Sequence, residues 1–299
     1  MELRGRKTNM RPAAVLFLAF LAAPAAAQST IDQHRSAAPD GTVDIENMAG
    51  SIRVTGWEKN EIVVNGKLGR QASGLNLSGG SSHTRIEVET EGNPHGVRSD
   101  LDIKVPAGSR LKIDGFEASI TVTGVTGTVQ AETVNGSITL SGGVKDVDLQ
   151  AVNGAVEVAK ASGRIKAESV NGAVTIRDSS GELEASTVNG ALEVRGGSWT
   201  KVRVETVSGN LRFEGSLGKK ATLEAETVSG SVELFFPASI AADFSFSSFS
   251  GSIDNDLGPA VPRSHKWTTE KELSFSYGGG GAKVNVQTLS GSIRLHKQP

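Results

Sequence analysis

The sequence contains no cysteine, one tyrosine and three tryptophans among its 299 residues. The absence of cysteine excludes disulfide bonds and thiol chemistry, so a folded chain must be stabilised by its core. No G-x-S-x-G segment marks a nucleophile elbow. The glycine run at 278 to 281 lacks the Lys-Ser or Lys-Thr that follows in a phosphate-binding loop. Several sequence signatures of enzymes are therefore missing.

Metal-binding patterns are also scarce. No two histidines have the i, i+4 spacing of a helical metal site, and we interpret all five as surface residues: His34, His83, His95, His265 and His296. Asp254 and Asp256 supply too few oxygen ligands for calcium and are typical of a turn. The sequence predicts no catalytic residue, no cofactor and no metal site.

Charge is nearly balanced, with a net value of −2, but the first residues are basic. Arg4, Arg6, Lys7 and Arg11 precede the apolar run AAVLFLAFLAA, which ends at three alanines. This pattern predicts a signal peptide at 1–27, because the apolar run is too short to span a bilayer. Its removal would change the net charge to −5, which disfavours nucleic acid and anionic membranes as partners. We expect an exported protein of the periplasm, cell surface or medium.

Glycine, by contrast, is abundant, and many glycines belong to one recurring phrase, as in TVNGSITL, AVNGAVEV and TVSGSVEL. The marker glycines are Gly136, Gly154, Gly172, Gly190, Gly209, Gly230, Gly251 and Gly291. Their successive spacings are 18, 18, 18, 19, 21, 21 and 40. A period held this long indicates a repeat architecture whose units bury apolar side chains against each other.

Each unit has the alternation of a half-buried β-strand. Around Gly172, residues 165, 167, 170, 174 and 176 are apolar, and polar residues stand between most of them. The Asn-Gly or Ser-Gly pair predicts a tight bend, in which glycine would adopt the left-handed region without steric cost.

The aligned copies place like residues in columns, which favours parallel stacking over a meander. Two columns are predicted to face inward: Val129, Val147, Ile165, Leu183, Val202, Leu223; and Ile120, Ile138, Val156, Val174, Leu192, Leu211, Val232. Asn135, Asn153, Asn171 and Asn189 would form an amide ladder. Acids mostly alternate with neutral residues in two outward columns, as expected for neighbours across coils. We predict an all-β, single-stranded parallel β-helix, right-handed as most parallel crossovers are, with 18 to 21 residues per coil.

The predicted organisation has five parts. A signal peptide at 1–27 and a flexible leader at 28–41 precede N-terminal coils and irregular β structure at 42–112, regular coils at 113–235, and C-terminal coils with an insertion and closing cap at 236–299. In the first coil, the inward residues would be Val43, Ile45, Met48, Ile52 and Val54.

Two irregular regions also give predictions. Residues 69–83 have the composition of a flexible loop. Near the other end, five phenylalanines predict an aromatic-filled core: Phe235, Phe236, Phe244, Phe246 and Phe249. The gap of 40 residues between Gly251 and Gly291 equals about two coils, so one coil would lack the marker glycine. The last coil would form an open edge of the sheet, which Lys297 and Pro299 would protect from pairing with another molecule.

Several segments resemble a known family in the family's order: IENMAGSIRVTGWEKNEIVV, DIKVPAGSRLKIDG, the TVNGSITL-like coils, PASIAADFSFSSFSGSI and GGGGAKVNVQTLSGSIRL. Over about residues 40–297, the chain resembles the bacterial putative-adhesin family catalogued as a domain of unknown function. The resemblance implies an exported right-handed β-helix in a cell-envelope setting. It carries over no catalytic residues. The polar stretch at 69–100 departs from the family pattern.

The functional hypothesis is a non-catalytic, exported β-solenoid whose long face binds an envelope glycan or protein. A basic and aromatic group within the insertion is the candidate contact, although a plain capping loop is the alternative: Arg263, His265, Lys266 and Trp267. A polysaccharide-active enzyme is a competing hypothesis, because Glu157 and Glu193 would lie two coils apart in one outward column. A structural envelope protein without a specific ligand is a third. The oligomeric state is left open.

Overall fold

The computed structural model describes residues 30–69, 72–90, 97–143, 145–260 and 270–298. Within these ranges the protein consists of 22 β-strands linked by hydrogen bonds into one sheet, and no helix occurs. No helix of the described part is therefore long and apolar enough to cross a membrane. The predicted signal peptide and residues 28 and 29 lie outside the described residues, so export stays a prediction.

The N-terminal strands are β1 (Thr30–Ser36), β2 (Thr42–Trp57), β3 (Glu61–Lys67), β4 (Ala72–Gly80), β5 (His83–Thr90), β6 (Arg98–Pro106) and β7 (Arg110–Thr123). The middle strands are β8 (Thr128–Thr133), β9 (Ile138–Ser141), β10 (Asp146–Ala151), β11 (Val156–Ala159), β12 (Ser162–Ser169), β13 (Val174–Arg177), β14 (Ser180–Thr187), β15 (Leu192–Ser208), β16 (Leu211–Ser229) and β17 (Val232–Pro237). The C-terminal strands are β18 (Ala242–Ser250), β19 (Ile253–Asn255), β20 (Lys271–Tyr277), β21 (Ala282–Ser290) and β22 (Ile293–Gln298).

Like residues of successive repeats stack directly, which confirms the all-β, parallel arrangement. Val147 pairs with Val129 on one side and with Ile165 on the other, in parallel strands. Val156 pairs in the same way with Ile138 and Val174. These side chains are between 0% and 1% exposed. Both predicted inward columns are therefore core columns, and their burial supplies the main driving force for folding.

The asparagine ladder is confirmed. Asn153 donates its side-chain N–H to the Asn135 oxygen at 2.8 Å, Asn171 donates to Asn153 at 2.8 Å, and Asn189 donates to Asn171 at 2.9 Å. Asn153 and Asn171 thus each use one donor and one acceptor within the ladder, and the second N–H of each remains available for another contact.

The marker glycines are required for a different reason from the predicted one. Most of them, Gly172 included, do not adopt the left-handed region. A Cβ added at Gly172 would instead lie 2.1 Å from the Gly154 carbonyl oxygen. The same position in the next coil, Gly190, would bring a Cβ to 2.1 Å from the Gly172 oxygen. Glycine is needed here because backbones of adjacent coils approach too closely for any side chain.

A buried hydroxyl beside the bend ties adjacent coils together. Thr187 donates its Oγ1–H to the Gly172 carbonyl oxygen at 2.8 Å, and Ser169 donates to Gly154 at 2.9 Å. Thr133 makes the equivalent bond to Ala118 at 2.9 Å. The threonine of the TVNG phrase is thus an inward residue that binds the preceding coil.

The N-terminal region is more ordered than predicted. The expected flexible leader contains β1, which pairs antiparallel with β3. The expected flexible loop at 69–83 contains β4, which pairs antiparallel with β5. Leu75 and Leu77 alternate along β4 and pack against the core, a signal that the many glycines and serines obscured. Met48, predicted to face inward, is 37% exposed.

The C-terminal coils follow an order that differs from the chain order. β21 lies between β16 and β18, in parallel with both, and β22 lies between β17 and β19. The last part of the chain is thus an internal coil and not an open edge. The predicted unmarked coil is also wrong, because β20 runs antiparallel to β18 as an outer strand.

The predicted aromatic core is partly confirmed. Phe236, Phe244 and Phe246 are at most 2% exposed, and Phe236 also packs against Phe213 with ring centroids 5.7 Å apart. Two predicted members face outward instead, because they occupy outward strand positions. Phe235 lies 3.8 Å from the Arg212 guanidinium, and Phe249 is 55% exposed.

Candidate functional site

One column of apolar side chains points to solvent along eight successive coils. We call it the apolar ladder, and in spatial order it consists of Val134, Val152, Val170, Val188, Val207, Val228, Leu289 and Phe249. Val152, Val170 and Val188 are 38% to 40% exposed, and Leu289 and Phe249 are 54% and 55% exposed. At about 4.8 Å per coil, the ladder is about 34 Å long.

The local sequence explains why this column faces outward. In a strand, alternate side chains point to opposite faces, so the residue after an inward threonine points to solvent. Thr187 points inward to its carbonyl partner, and Val188 follows it. Val170, which the sequence predicted among the apolar residues of the core face, is 40% exposed for the same reason.

A polar column borders the apolar ladder on one side. We call it the carboxylate column, and it consists of Glu132, Gln150, Glu168, Ser186, Glu205, Glu226, Gln287 and Ser247. Between the two columns run two adjoining stretches of a groove, of about 440 Å³ and 550 Å³, which share Ser186 and Val188. The Asn/Ser column, Asn135, Asn153, Asn171, Asn189, Ser208, Ser229, Ser290 and Ser250, lies on the other side of the ladder.

Two of the four carboxylates in the carboxylate column are paired with cations of the same strands. Lys166 lies 3.2 Å from Glu168, and Arg203 lies 2.5 Å from Glu205. Partial burial disfavours the charged form of Lys166, but its hydrogen bond to Glu168 and the nearby charges outweigh this and raise its pKa. The charge of Glu205 and its hydrogen bond raise the pKa of Arg203. The groove therefore combines an apolar ladder with a border of low net charge.

Glu157 and Glu193, the two carboxylates of the enzyme hypothesis, lie in the predicted register, but Glu193 forms ion pairs. Glu157 and Glu193 both align with Thr175. Glu193 lies 2.6 Å from Arg195 and 3.8 Å from Arg212. A carboxylate held by two guanidinium groups is a structural ion pair, whereas a general acid must carry a proton. This geometry does not favour a pair of catalytic carboxylates.

The described histidines are dispersed and bind acidic neighbours. His34 lies 3.0 Å from Glu61, and His83 lies 2.8 Å from Asp44. The hydrogen bond that His34 donates to Glu61 raises the pKa of His34. Within the described ranges, no three His, Asp or Glu side chains are grouped as a metal site would require. His95 and His265 lie outside the described residues.

The contact residues predicted from the insertion, Arg263, His265, Lys266 and Trp267, also lie outside the described residues and stay a prediction. Sequence reasoning missed the apolar ladder, although its signal was present. In the TVNG phrase, threonine and valine are neighbours, so they cannot both point into the core of a regular strand. A valine precedes the Asn-Gly or Ser-Gly pair in six of the eight copies, and Leu289 and Phe249 take its place in the other two.

Parallel coils, inward aliphatic columns and a solvent-facing groove define a solenoid-like repeat protein with an elongated apolar strip on its surface. The family model described as Toastrack DUF4097 matches residues 40–296, and the chain belongs to this family. The resemblance to a putative-adhesin family of unknown function is thereby confirmed. No curated protein matches the sequence.

Two solved structures are similar to the chain. A putative adhesin from Parabacteroides distasonis has 11% identity and a TM-score of 0.53, with 91% of this chain and 98% of that chain covered. A putative cell adhesion protein from Clostridium sporogenes has 11% identity and a TM-score of 0.22, with coverage of 90% and 100%. At this identity the first of these supports the fold alone.

Proposed function

We propose that this protein is a non-catalytic, exported, adhesin-like component of the bacterial cell envelope that binds another protein through its apolar ladder. The observation that carries the proposal is the unbroken exposure of apolar side chains over eight coils. Eight half-exposed side chains leave roughly 500 Å² of apolar surface in one strip, near the upper limit for a typical monomer. Strips of this size mark interaction sites.

A protein partner fits the groove better than a glycan. Sugar rings are commonly bound by stacking on tryptophan or tyrosine faces, and neither residue type lines the described groove. Aliphatic side chains between two polar columns resemble instead the apolar centre and polar rim of a protein interface. The ion pairs of Glu193 further favour binding over sugar hydrolysis.

The proposed setting rests on the basic and apolar N-terminal sequence, which is typical of a signal peptide. The name of the similar protein from Parabacteroides distasonis, a putative adhesin, agrees with an adhesin-like role. We also infer a right-handed, single-stranded path with 18 to 21 residues per coil, as parallel crossovers favour. Fractionation of the native host into periplasm, outer surface and medium tests the setting, and a cytosolic location contradicts it.

The binding role is tested with envelope preparations and purified, exported protein. Val152→Asp/Val188→Asp places two charges in the apolar ladder. Ser141→Asp is the matched control, because Ser141 faces outward from β9 between Thr123 and Ala159. We expect the control to bind envelopes as the unchanged protein does, and the double variant to lose binding at least about tenfold. Equal binding by all three proteins would contradict the proposal, as would release of reducing sugars from a polysaccharide panel.

A further inference from the structure

We propose that the partner of the apolar ladder is a second copy of this chain, docked side by side with both stacks running in the same direction. The inference rests on the proposed function, since it names the protein that the same surface binds. It follows from three properties of the ladder: its repeat distance, the charge on each side of it, and its area.

The repeat distance of the ladder selects its partner. Apolar side chains recur at about 4.8 Å from coil to coil. Side chains on one face of an extended strand recur at about 6.7 Å, and one turn of an α-helix rises 5.4 Å. The helical mismatch of about 0.6 Å per turn grows to about 4 Å over seven steps. A second copy has the same spacing and meets the ladder at every coil.

The borders of the ladder set the direction of the second copy. Around each coil the order is carboxylate column, apolar ladder, Asn/Ser column, as in Glu168, Val170 and Asn171. A two-fold axis parallel to the stack places the carboxylate column of each copy against the Asn/Ser column of the other. Of the ladder asparagines, Asn135 then faces Glu132 and Asn171 faces Glu168, so a free amide N–H of each can donate to a carboxylate. An antiparallel pair centred on the ladder would instead place Glu168 of each copy against Glu226 of the other, a repulsive contact.

Charge also argues against a cationic peptide as the occupant. Lys166 and Arg203 already pair with Glu168 and Glu205, which halves the unpaired negative charge that the groove offers to a basic ligand. The uncharged Asn/Ser column of a second copy needs no such charge.

The area is sufficient for association. A strip about 34 Å long and about 15 Å wide, three side-chain columns across, buries about 500 Å² per partner. Standard stable interfaces bury about 800 Å² per partner. A weak, reversible dimer in the micromolar range is therefore the expected state.

Sedimentation of the full exported chain between about 1 and 100 μM tests association. We expect a concentration-dependent dimer. Val152→Asp/Val188→Asp should raise the Kd of this dimer at least about 100-fold, and Ser141→Asp should leave the Kd unchanged. A chain that stays monomeric at 100 μM overturns the inference. Binding of the monomer to phosphatidylcholine vesicles, lost in the double variant, would also overturn it, since the ladder would then contact a membrane.

Single introduced cysteines test the direction, and the absence of native cysteine keeps the result free of other disulfides. In the parallel dimer, Val152→Cys faces itself and Leu289→Cys faces itself, so each variant forms a homodimeric disulfide under mild oxidation. In an antiparallel dimer centred on the ladder, position 152 faces 289 and lies about 24 Å from its own copy, beyond the reach of a disulfide. Cross-linking only in a mixture of the two variants therefore overturns the parallel arrangement.

The two proposals fail in different ways. A monomeric chain whose ladder variants still lose envelope binding refutes the second copy and leaves the binding function in place. A chain whose envelope binding does not depend on the ladder refutes the binding function, whatever its oligomeric state.

Discussion

The buried hydroxyl column gives two identical substitutions with opposite expected effects. Thr187 and Thr227 occupy the same column, each paired with Thr206. The hydroxyl of Thr187 donates to the Gly172 carbonyl oxygen at 2.8 Å, whereas the buried hydroxyl of Thr227 has no partner. Thr→Val keeps the branched shape, because it only replaces the hydroxyl by a methyl group.

The magnitudes follow from the cost of buried polar groups. Thr187→Val removes a hydrogen bond worth about 1 kcal/mol and leaves the Gly172 carbonyl oxygen without its hydroxyl partner, so we expect a loss of about 1 to 2 kcal/mol. Thr227→Val removes a buried hydroxyl that gains nothing from the fold, so we expect no loss, or a gain of up to about 1 kcal/mol. The two variants should differ by about 2 kcal/mol.

Urea unfolding followed by circular dichroism measures this difference, and thermal unfolding should separate the two variants by about 4 to 8 °C. Thr187→Ser is the control, because serine keeps the hydroxyl in the position that Ser169 uses in the preceding coil. Equal losses for Thr187→Val and Thr227→Val would refute the role of the hydroxyl in joining coils.

Three further predictions test burial, close backbone approach and pH. Val174→Asp should lower the free energy of unfolding, measured in urea, by more than about 4 kcal/mol, because the carboxylate would be buried without a partner. Val170→Asp on the ladder should change it by less than about 1 kcal/mol. Similar losses in the two variants would contradict the assignment of Val174 to the core and Val170 to the surface. Gly172→Ala should lower the free energy of unfolding by at least about 3 kcal/mol, because its Cβ would lie 2.1 Å from a carbonyl oxygen. Gly143→Ala should change stability little, because no atom lies within 4 Å of the added Cβ. Equal melting temperatures for the two variants would contradict the close approach of the backbones. The hydrogen bond to Glu61 of β3 raises the pKa of His34. The stabilisation of β1 by this bond is therefore complete below the ordinary pKa of 6.5 and is lost as pH rises through the pKa of the folded state. Hydrogen exchange of β1 amides, corrected for intrinsic rates, should accelerate over that pH window, and the same acceleration in His34→Gln would exclude this histidine as the cause.

The regular coils could be predicted because a fixed period turns sequence columns into stacked neighbours. The Val147 and Val156 columns needed only alternation and spacing, and the pairing in the structure matches both. The order of the C-terminal coils could not be predicted in this way. The phrases around Gly251 and Gly291 are nearly identical, so either coil satisfies the pattern in either place. Long-range pairing of β21 with β16 decides the order.

The candidate site was harder to predict than the fold. Apolar character alone does not place a residue in the core. Thr187 points inward because its hydroxyl binds the preceding coil, so Val188, the next residue, points to solvent. The glycine of the bend was predicted for its conformational freedom, but the close approach between coils, which exists only in the assembled stack, is what requires it. Both errors arise because the interactions are between coils and not within one coil.

Hydroxyl-radical footprinting of the exported protein, with and without host envelopes, tests most directly whether the apolar ladder is the binding surface. The account predicts that envelopes protect the exposed ladder side chains, with Leu289 and Phe249 the most reactive when free. Arg177 and Arg195, on the outward column of the second strand of each coil, should keep their reactivity. Protection of that column with an unprotected ladder would contradict the account.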